Sequence, residues 1–316
     1  MIVITGARGF IGSNLVEHLN ELGIKDLILV DEDQNSLKTP NLEGLHFSVF
    51  LERAAFLPWF KSYPHSVDFV FHLGARTDTA EQEVALFDEL NLNYSKELFS
   101  ICAKHQIPLI YASSAATYGD GSHGYDDELD IKLLKPLNPY GQSKQDFDVW
   151  VLEQTETPPF WVGLKFFNVY GKHENHKNRM ASVVYHAYKQ IKETGKMKLF
   201  QSHRADVQHG EQLRDFVSVN DLITICMFFY THQKHSGIYN VGTGEARSFN
   251  DLVKAVFQSM RLEADIQYIP TPEDIREAYQ YYTCANMNKL KKIGYPSAFT
   301  SLEKGVEDYV KNYLSK

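Results

Sequence analysis

Cysteine is scarce in this chain. The 316 residues include three cysteines, Cys102, Cys226 and Cys284, which are odd in number and far apart. This usage excludes a disulfide-stabilised scaffold, and the spacing fits no metal-binding motif. We therefore interpret the thiols as buried or incidental, expect no metal site, and predict a reducing compartment.

Long hydrophobic runs are absent too. No stretch approaches the roughly 20 apolar residues that a membrane-spanning helix needs. The apolar start, residues 1–5, is only a strand long and leads directly into a glycine-rich turn, so we expect no signal peptide. These absences predict a soluble, cytoplasmic protein without a membrane partner.

Clusters of positive charge are also missing. The formal net charge is −8, and the sequence contains no run of basic residues. That pattern excludes the electrostatic footprint of a nucleic-acid-binding protein. It leaves open a pocket in which a few local cations hold an anionic small ligand.

Strand-length and helix-length patterns alternate through the first half of the chain. Apolar runs of strand length occupy residues 2–5, 27–31, 69–72, 109–113 and 161–166, and longer amphipathic segments occupy residues 10–22, 87–105 and 140–154. Apolar strands that alternate with helices indicate a parallel sheet covered on both faces. The sequence therefore predicts an α/β protein with a Rossmann-type, doubly wound parallel sheet.

The second half of the chain is more mixed. It predicts helices at residues 180–193, 221–230, 249–260 and 302–313, strands at residues 214–219, 238–241 and 266–269, and a surface loop at residues 201–212. No repeat or low-complexity linker separates the halves. We predict a Rossmann domain over residues 1–167, to which residues 214–241 return. A smaller, interleaved C-terminal α/β lobe would contain residues 168–213 and 242–316.

A glycine-rich turn joins the first predicted strand to the first predicted helix. Gly6 would permit the sharp turn, Gly9 would let the backbone approach a pyrophosphate, and Gly12 would let helix and strand pack closely. Asp31 ends the next predicted strand, where a carboxylate can hold an adenosine ribose. A tight turn without a ligand is the alternative, and the two features together disfavour it.

The choice between NAD and NADP stays open at this point. Asp31 favours NAD, because a carboxylate repels a 2′-phosphate. Lys38, Arg53 or Arg8 could neutralise that phosphate, although each cation taken singly also fits a solvated surface charge.

Tyr140 and Lys144 form a Y-x-x-x-K pair whose side chains share one face of a predicted helix. A neighbouring ammonium and a bound nicotinamide would favour the phenolate of Tyr140, so it could act as an acid/base at neutral pH. Ser114 follows an earlier strand and could hydrogen-bond the same substrate oxygen. Serine, tyrosine and lysine in this order after a glycine turn indicate redox chemistry at a carbon that bears a hydroxyl.

These motifs resemble the extended short-chain dehydrogenase/reductase superfamily, which includes nucleotide-sugar epimerases and dehydratases. The matching stretches are residues 5–12 (TGARGFIG), 111–119 (YASSAATYG), 139–144 (PYGQSK) and 214–221 (RDFVSVND). Within it, the chain is most similar to the ADP-L-glycero-D-manno-heptose 6-epimerase family over nearly its whole length. That similarity rests on His186 and on residues 166–171 (FFNVYG), 176–183 (HKNRMASV), 198–200 (KLF), 239–244 (YNVGTG), 248–249 (SF), 268–270 (YIP) and 279–280 (YQ).

The resemblance implies an epimerase that inverts C6 of ADP-D-glycero-D-manno-heptose through a transient ketone. The product would serve the synthesis of lipopolysaccharide core heptose. The Rossmann domain would keep NADP bound through turnover, with NAD as the alternative cofactor, and the smaller lobe would bind the nucleotide sugar. A homo-oligomer, a pentamer, is also implied.

The resemblance assigns roles to individual residues. Tyr140 and Lys177 would be acid/base groups on opposite faces of C6. Lys144 would hold the nicotinamide ribose and lower the pKa of Tyr140, and Ser114 would hold the reacting oxygen. The expected cofactor-binding residues are Gly6, Gly9, Phe10, Ile11, Gly12, Asp31, Glu32, Lys38, Arg53, Leu73, Gly74, Ala75, Arg76, Thr77, Asn91, Lys144, Val169 and Lys177. The expected substrate-binding residues are Asn168, Ser182, His186, Phe200, Gln201, Ser202, Arg214 and Tyr279.

Two of these residues have simpler interpretations. Lys177 also fits a solvated loop lysine, and His173 and His176 beside it lack a third metal ligand. Arg214 suits a diphosphate because its planar fork can grip two oxygens, but it could instead pair with Asp215.

The chain departs from the family at Arg8, where a small residue is usual, and at residues 201–212, which form a longer and more histidine-rich link. A 4-epimerase of another nucleotide sugar is the first alternative, and it would not need Lys177. A 4,6-dehydratase is disfavoured, because residues 115–117 (AAT) stand where its Asp-Glu pair is expected. The alternative from another class is a non-catalytic NADP-binding regulator, against which the Ser, Tyr and Lys of the predicted site argue.

Overall fold

The computed structural model describes residues 1–32, 36–276 and 279–316. Its strands are β1 (Ile2–Thr5), β2 (Leu27–Asp31), β3 (Val49–Glu52), β4 (Phe69–His72), β5 (Leu109–Ser114), β6 (Trp161–Phe166), β7 (Asn168–Tyr170), β8 (Met197–Phe200), β9 (Leu213–Ser218), β10 (Gly237–Val241), β11 (Ala246–Ser248) and β12 (Ile266–Ile269). Its α-helices are α1 (Phe10–Glu21), α2 (Arg53–Ser62), α3 (Val84–Phe87), α4 (Tyr94–His105), α5 (Pro139–Leu152), α6 (Val183–Thr194), α7 (Val219–His232), α8 (Phe249–Ser259), α9 (Glu273–Arg276), α10 (Asn288–Lys292) and α11 (Leu302–Tyr309).

Seven strands form one parallel sheet in the order β3-β2-β1-β4-β5-β6-β10. The order reverses direction at β1, so the carboxyl ends of β1 and β4 open a crevice at one edge. This confirms the predicted α/β class with a doubly wound parallel sheet. The strands read as continuous apolar runs because helices cover both faces.

Two apolar layers hold the helices on the sheet. One layer packs α1 and α7 against it, with Leu15 and Leu222 among its fully buried side chains. The other packs α2, α4 and α5 against the opposite face, with Phe60 and Phe99 at its centre. In the described residues, no helix combines the length and apolarity that crossing a bilayer requires.

A smaller set of elements lies outside the main sheet. β7, β9 and β11 form a three-stranded sheet, and β8 pairs in parallel with β12. Helices α6, α8 and α11 pack around their own apolar cluster, which includes Val184, Leu252 and Val306. Of the segment at residues 214–241, β10 joins the main sheet and β9 lies in the smaller one.

Several predicted boundaries shift for local reasons. The helix predicted at residues 180–193 begins at Val183, because the Ser182 hydroxyl caps it by accepting from the Tyr185 amide. The helix predicted at residues 87–105 is split by a π-helical turn at Asp88–Asn93. Four strands were not predicted: β3 and β8 include exposed or half-buried residues, and β7 and β11 are only three residues long.

Candidate active site

The glycine-rich turn lies at the carboxyl end of β1, where α1 begins. Gly6 has φ +67°, a left-handed conformation that side chains other than glycine rarely adopt. A Cβ on Gly12 would lie 2.1 Å from the Gly6 carbonyl oxygen, so helix and turn approach too closely for any side chain. The first residues of α1, Phe10, Ile11 and Gly12, line the crevice, and the N-terminus of a helix is a position at which an anion can bind.

A cavity of about 880 Å³ opens above this turn. Its walls contain most of the predicted cofactor residues: Gly6, Gly9, Phe10, Ile11, Gly12, Asp31, Glu32, Lys38, Arg53, Leu73, Gly74, Ala75, Arg76, Thr77 and Lys177. Asn91, Lys144 and Val169 do not line it. A cavity of this size, with a glycine cradle at one end and cations at its side, fits a dinucleotide.

Two carboxylate–cation pairs mark the position expected for the adenosine ribose. Asp31 accepts hydrogen bonds from the Arg8 amide at 2.8 Å and from Lys38 Nζ at 3.2 Å. Arg53 Nη1 lies 3.1 Å from the Glu32 carboxylate. Lys38 and Arg53 thus bring positive charge next to acids that would otherwise repel a 2′-phosphate.

A buried histidine supports the opposite wall of the cavity, and the sequence did not single it out. His72, at the end of β4, hydrogen-bonds Thr5 at 2.7 Å and Ser95 at 2.8 Å. Burial lowers its pKa to about 3, so the imidazole is neutral and works as a structural connector. Thr5 also accepts from the Gly74 amide, which fixes the wall next to the turn.

Asn91 acts behind the cavity rather than in it. Its side chain accepts from the Arg76 amide and donates to the Arg76 carbonyl and the Ser143 hydroxyl. It thereby ties the cavity wall to helix α5, which carries Tyr140. No sequence signal distinguishes such a connector from a direct ligand.

Ser114, Tyr140 and Lys144 come together where β5 ends and α5 begins. Ser114 is the last residue of β5 and hydrogen-bonds the Tyr140 hydroxyl. Lys144 is buried and donates to the Ala112 carbonyl at 2.9 Å. Tyr140 packs near the Phe87 ring, with centroids 6.4 Å apart.

The electrostatic environment of Tyr140 differs from the simple expectation that Lys144 lowers its pKa. Burial raises the pKa of Tyr140, and only the Ser114 hydrogen bond opposes this among the influences that are resolved. Burial also lowers the pKa of Lys144 to about 8, so its own ammonium is less favoured. The chain's groups alone therefore keep the phenol protonated, and a further positive charge is needed to favour the phenolate.

A buried ion pair lies beneath these three residues. Asp148, one helical turn beyond Lys144, has its carboxylate 2.7 Å from Lys165 Nζ on β6. Asp148 also accepts from the hydroxyls of Tyr111 at 3.0 Å and Ser113 at 2.6 Å, both on β5. The network joins β5, β6 and α5, and so fixes the strand end that presents Ser114.

We expect Lys165→Met to lower the free energy of unfolding by about 3–5 kcal/mol, because it leaves the fully buried Asp148 charge without its partner. Chemical denaturation would measure the loss. The double variant Asp148→Asn/Lys165→Met should lose much less than the sum of the two single variants. Lys61→Met, which breaks an exposed ion pair with Glu97, is the control and should stay close to wild type.

Lys177 lines the 880 Å³ cavity, whose described lining does not include Ser114, Tyr140 or Lys144. Its ammonium lies 5.2 Å from the centroid of the Phe10 ring, at the first residue of α1. Burial lowers the pKa of Lys177, and the nearby Glu174 carboxylate partly opposes that effect. An amine whose pKa is lowered by burial, beside a dinucleotide-sized cavity, gives up its proton more readily than an exposed lysine and is a candidate acid/base group.

Arg214 is buried on β9 without a carboxylate among its contacts in the described residues. Its guanidinium donates to the carbonyls of Leu213 and Gln280 and lies 5.6 Å from the centroid of the Tyr279 ring. The alternative pairing with Asp215 is not formed, because that carboxylate instead accepts from the amides of Gly244 and Ala285 and from Thr243. A buried cation without an acid suits an anionic ligand.

The remaining predicted substrate residues surround the smaller sheets. Ser182 caps α6, and His186 lies in the next turn of that helix. Phe200 ends β8, the Gln201 amide donates to the Ile269 carbonyl, and Asn168 begins β7. None of these residues lines the 880 Å³ cavity.

The long link at residues 201–212 folds over aromatic rings. The His203 ring meets the Tyr281 ring edge-on with centroids 5.0 Å apart, and it lies 6.0 Å from the Tyr279 ring. The Ser202 hydroxyl donates to the Tyr281 hydroxyl at 3.3 Å. The link thus contacts Tyr279, which lies over Arg214.

The chain matches the family model described as the NAD dependent epimerase/dehydratase family over residues 2–242. An ADP-L-glycero-D-manno-heptose-6-epimerase from Fusobacterium nucleatum is 44% identical, over 100% of this chain and 98% of the relative. A protein of the same name from Nitratidesulfovibrio vulgaris is also 44% identical, with coverage of 100% and 98%. The crystal structure of ADP-L-glycero-D-manno-heptose-6-epimerase from Helicobacter pylori superposes with a TM-score of 0.83 at 30% identity, covering 100% of this chain and 96% of that one.

Proposed function

Since the chain belongs to the NAD dependent epimerase/dehydratase family, and within it to the ADP-L-glycero-D-manno-heptose-6-epimerases, we propose that it inverts C6 of ADP-D-glycero-D-manno-heptose through a transient 6-ketone. The observation that carries this proposal is the position of Lys177. It lies in the wall of the cavity that begins at the glycine turn, as a second acid/base group requires.

The main-sheet domain is the proposed site of the dinucleotide. The turn at Gly6–Gly12 would hold its pyrophosphate, and Asp31 with Lys38 would hold its adenosine ribose. A bound NADP would accept the hydride from C6 and return it to the opposite face. The chain's own residues must then move the proton of the C6 hydroxyl.

Tyr140 would exchange that proton on one face of C6. Ser114 hydrogen-bonds the Tyr140 hydroxyl and is placed to hold the reacting oxygen beside it. Lys144, anchored on the Ala112 carbonyl, would hold the nicotinamide ribose. Because burial raises the pKa of Tyr140, the nicotinamide charge would add to the Ser114 hydrogen bond in making the phenolate accessible.

Lys177 would serve the other face. A single acid/base group cannot reach both faces of one carbon unless the ketone turns over in the site. Because burial lowers the pKa of Lys177, its ammonium would donate a proton more readily than that of an exposed lysine, and the amine would accept one in return.

The smaller lobe is the proposed site of the nucleotide sugar. Arg214 would bind its diphosphate, since this guanidinium is buried without a carboxylate among the described contacts. Ser182, His186, Asn168, Phe200, Gln201, Ser202 and Tyr279 would complete the pocket. The sequence resemblance also supports a homo-oligomer that works in the cytoplasm, which light scattering and cell fractionation would check.

The test is to incubate the purified protein with ADP-D-glycero-D-manno-heptose, without added reductant, and to follow the C6 epimers by NMR. We expect the L-glycero epimer to form at catalytic turnover. No conversion by protein that retains bound dinucleotide would refute the heptose assignment and direct the search to other nucleotide sugars.

We propose NADP as the cofactor because Lys38 and Arg53 flank the ribose position. Lys38→Ala is then expected to weaken NADP⁺ binding by about 10- to 100-fold, the value of one charge-assisted hydrogen bond, while NAD⁺ affinity changes little. Calorimetric titration of both dinucleotides would measure this. Lys132→Ala, which removes an exposed lysine from a distant ion pair, is the control. Equal losses for both dinucleotides would contradict NADP preference at this position.

A further inference from the structure

The segment that carries Lys177 has an irregular backbone. His173 has φ +69° and Asn178 has φ +48°, both in the left-handed region that residues other than glycine seldom occupy. Each such residue costs about 1–3 kcal/mol and persists only where surrounding contacts impose it. Contacts on either side of residues 171–178 must therefore hold the segment in place.

On one side, the segment is attached to the dinucleotide-binding domain. Asn14, on α1, donates from its side-chain amide to the Lys172 carbonyl at 3.0 Å. Asn41 donates to the His173 carbonyl at 3.2 Å. These bonds fix the first half of the segment next to the glycine turn.

On the other side, one buried carboxylate holds it. Glu174 is fully buried and accepts from the Ser182 amide at 2.5 Å and from the Ser182 hydroxyl at 2.6 Å. It also accepts from the Gly171 amide at 3.5 Å and pairs with the Tyr309 hydroxyl on α11. The Glu174 side chain thus connects Gly171, at the start of the segment, to Ser182 at the cap of α6 and to Tyr309 on α11.

We propose that Glu174 is the positioning residue for Lys177, because its carboxylate holds the segment that presents the Lys177 amine. The inference rests on the role proposed for Lys177. The Lys177 amide donates to the Glu174 carbonyl at 2.9 Å, so the turn that presents Lys177 starts at Glu174 itself. Any displacement of Glu174 moves the amine within the cavity.

The charged groups around Glu174 and Lys177 set the direction in which the carboxylate shifts the pKa of the amine. Lys177 and His176 on the same segment and Tyr309 on α11 are the titratable groups that face them, and α6 adds the Ser182 hydroxyl. Burial lowers the pKa of Lys177, and Glu174 raises it. Removing the carboxylate therefore lowers the pKa of Lys177 further.

The experiment compares the pH dependence of kcat, measured by NMR on the ADP-heptose epimers, for wild type, Glu174→Gln, Lys177→Met and Asp221→Asn. Asp221 is the matched control. Its carboxylate likewise accepts from the amide and the hydroxyl of one residue, Thr300, both at 2.9 Å, but far along the chain from the Lys177 segment.

We expect Glu174→Gln to lower kcat by about 10- to 100-fold, as a displacement of roughly 1 Å in a reacting group does. The pH profile of kcat should contain one limb that Lys177→Met lacks, and Glu174→Gln should move that limb to lower pH. Asp221→Asn should change neither kcat nor the position of the limb. A Glu174→Gln profile like that of wild type, or a loss of kcat without movement of the limb, would overturn the proposal.

Failure of the proposed function looks different, because wild type itself would then not interconvert the ADP-heptose epimers, and failure of the role proposed for Lys177 would leave Lys177→Met active. If Glu174→Gln does not fold, Tyr309→Phe decides the question, since it removes one donor to Glu174 and leaves the carboxylate in place. A folded Tyr309→Phe variant with a smaller loss of kcat than expected for Glu174→Gln supports the proposal. One with wild-type kcat overturns it.

Discussion

Tyr140→Phe is expected to lower kcat for epimerisation by about 10²- to 10⁴-fold, the usual contribution of a positioned acid/base group. The phenylalanine keeps the ring that packs near Phe87 and removes only the hydroxyl that Ser114 contacts. The loss should therefore appear in kcat, with the melting temperature and the dinucleotide content unchanged. NMR of the two epimers at saturating substrate would measure it.

Tyr230→Phe is the control for this variant. Its ring packs edge-on against Phe69 at 4.9 Å on the far side of the sheet, and the proposed chemistry does not use its hydroxyl. Wild-type turnover by Tyr140→Phe would remove Tyr140 from the mechanism. Parallel losses in kcat and in dinucleotide binding would show that the hydroxyl mainly supports the fold of the site.

Lys177→Met is the second large effect that we expect, again about 10²- to 10⁴-fold in kcat. Methionine retains the apolar stem beside the Phe10 ring and removes the amine. Lys172→Met is the control from the same segment, because Lys172 pairs with Glu17 and does not line the cavity. Full activity of Lys177→Met at C6 would instead remove Lys177 from the mechanism and leave Tyr140 as the acid/base group.

The two variants also separate the two faces of C6. In a single turnover, one epimer should reduce the nicotinamide bound to Tyr140→Phe but not that bound to Lys177→Met. The other epimer should show the opposite pattern with the two variants. Identical behaviour with both epimers would contradict the division of labour between Tyr140 and Lys177.

The sequence predicted the main sheet well because its strands are buried on both faces. β1, β2, β4, β5 and β6 are continuous apolar runs, and such runs are recognisable without tertiary information. β3 mixes exposed and half-buried residues, and β7 and β11 are three residues long. Their pairing depends on neighbours that are distant in sequence, so local patterns could not reveal them.

The residues of the site also fall into two groups, those that local sequence marks and those that only the fold brings together. The glycine turn, Asp31 and the Tyr140–Lys144 pair are defined by short spacings; the turn and Asp31 line the cavity at the edge of the main sheet, whereas Tyr140 and Lys144 lie outside its described lining. The Asp148–Lys165 pair and His72 join elements far apart in the chain, and nothing in their local sequence marks a partner. The direction of the Tyr140 pKa shift could not be predicted from the sequence either, because it depends on burial, which the whole fold determines.

The segment that ends at the α6 cap faces two ligand sites at once. His176 and Lys177 belong to the wall of the cavity proposed for the dinucleotide, and Ser182 begins the helix proposed for the sugar nucleotide. A ligand that displaced this segment would alter the affinity for the other ligand, and the coupling free energy would be the same in both directions. Retention of the cofactor and departure of the product would then be thermodynamically linked through one short stretch of backbone.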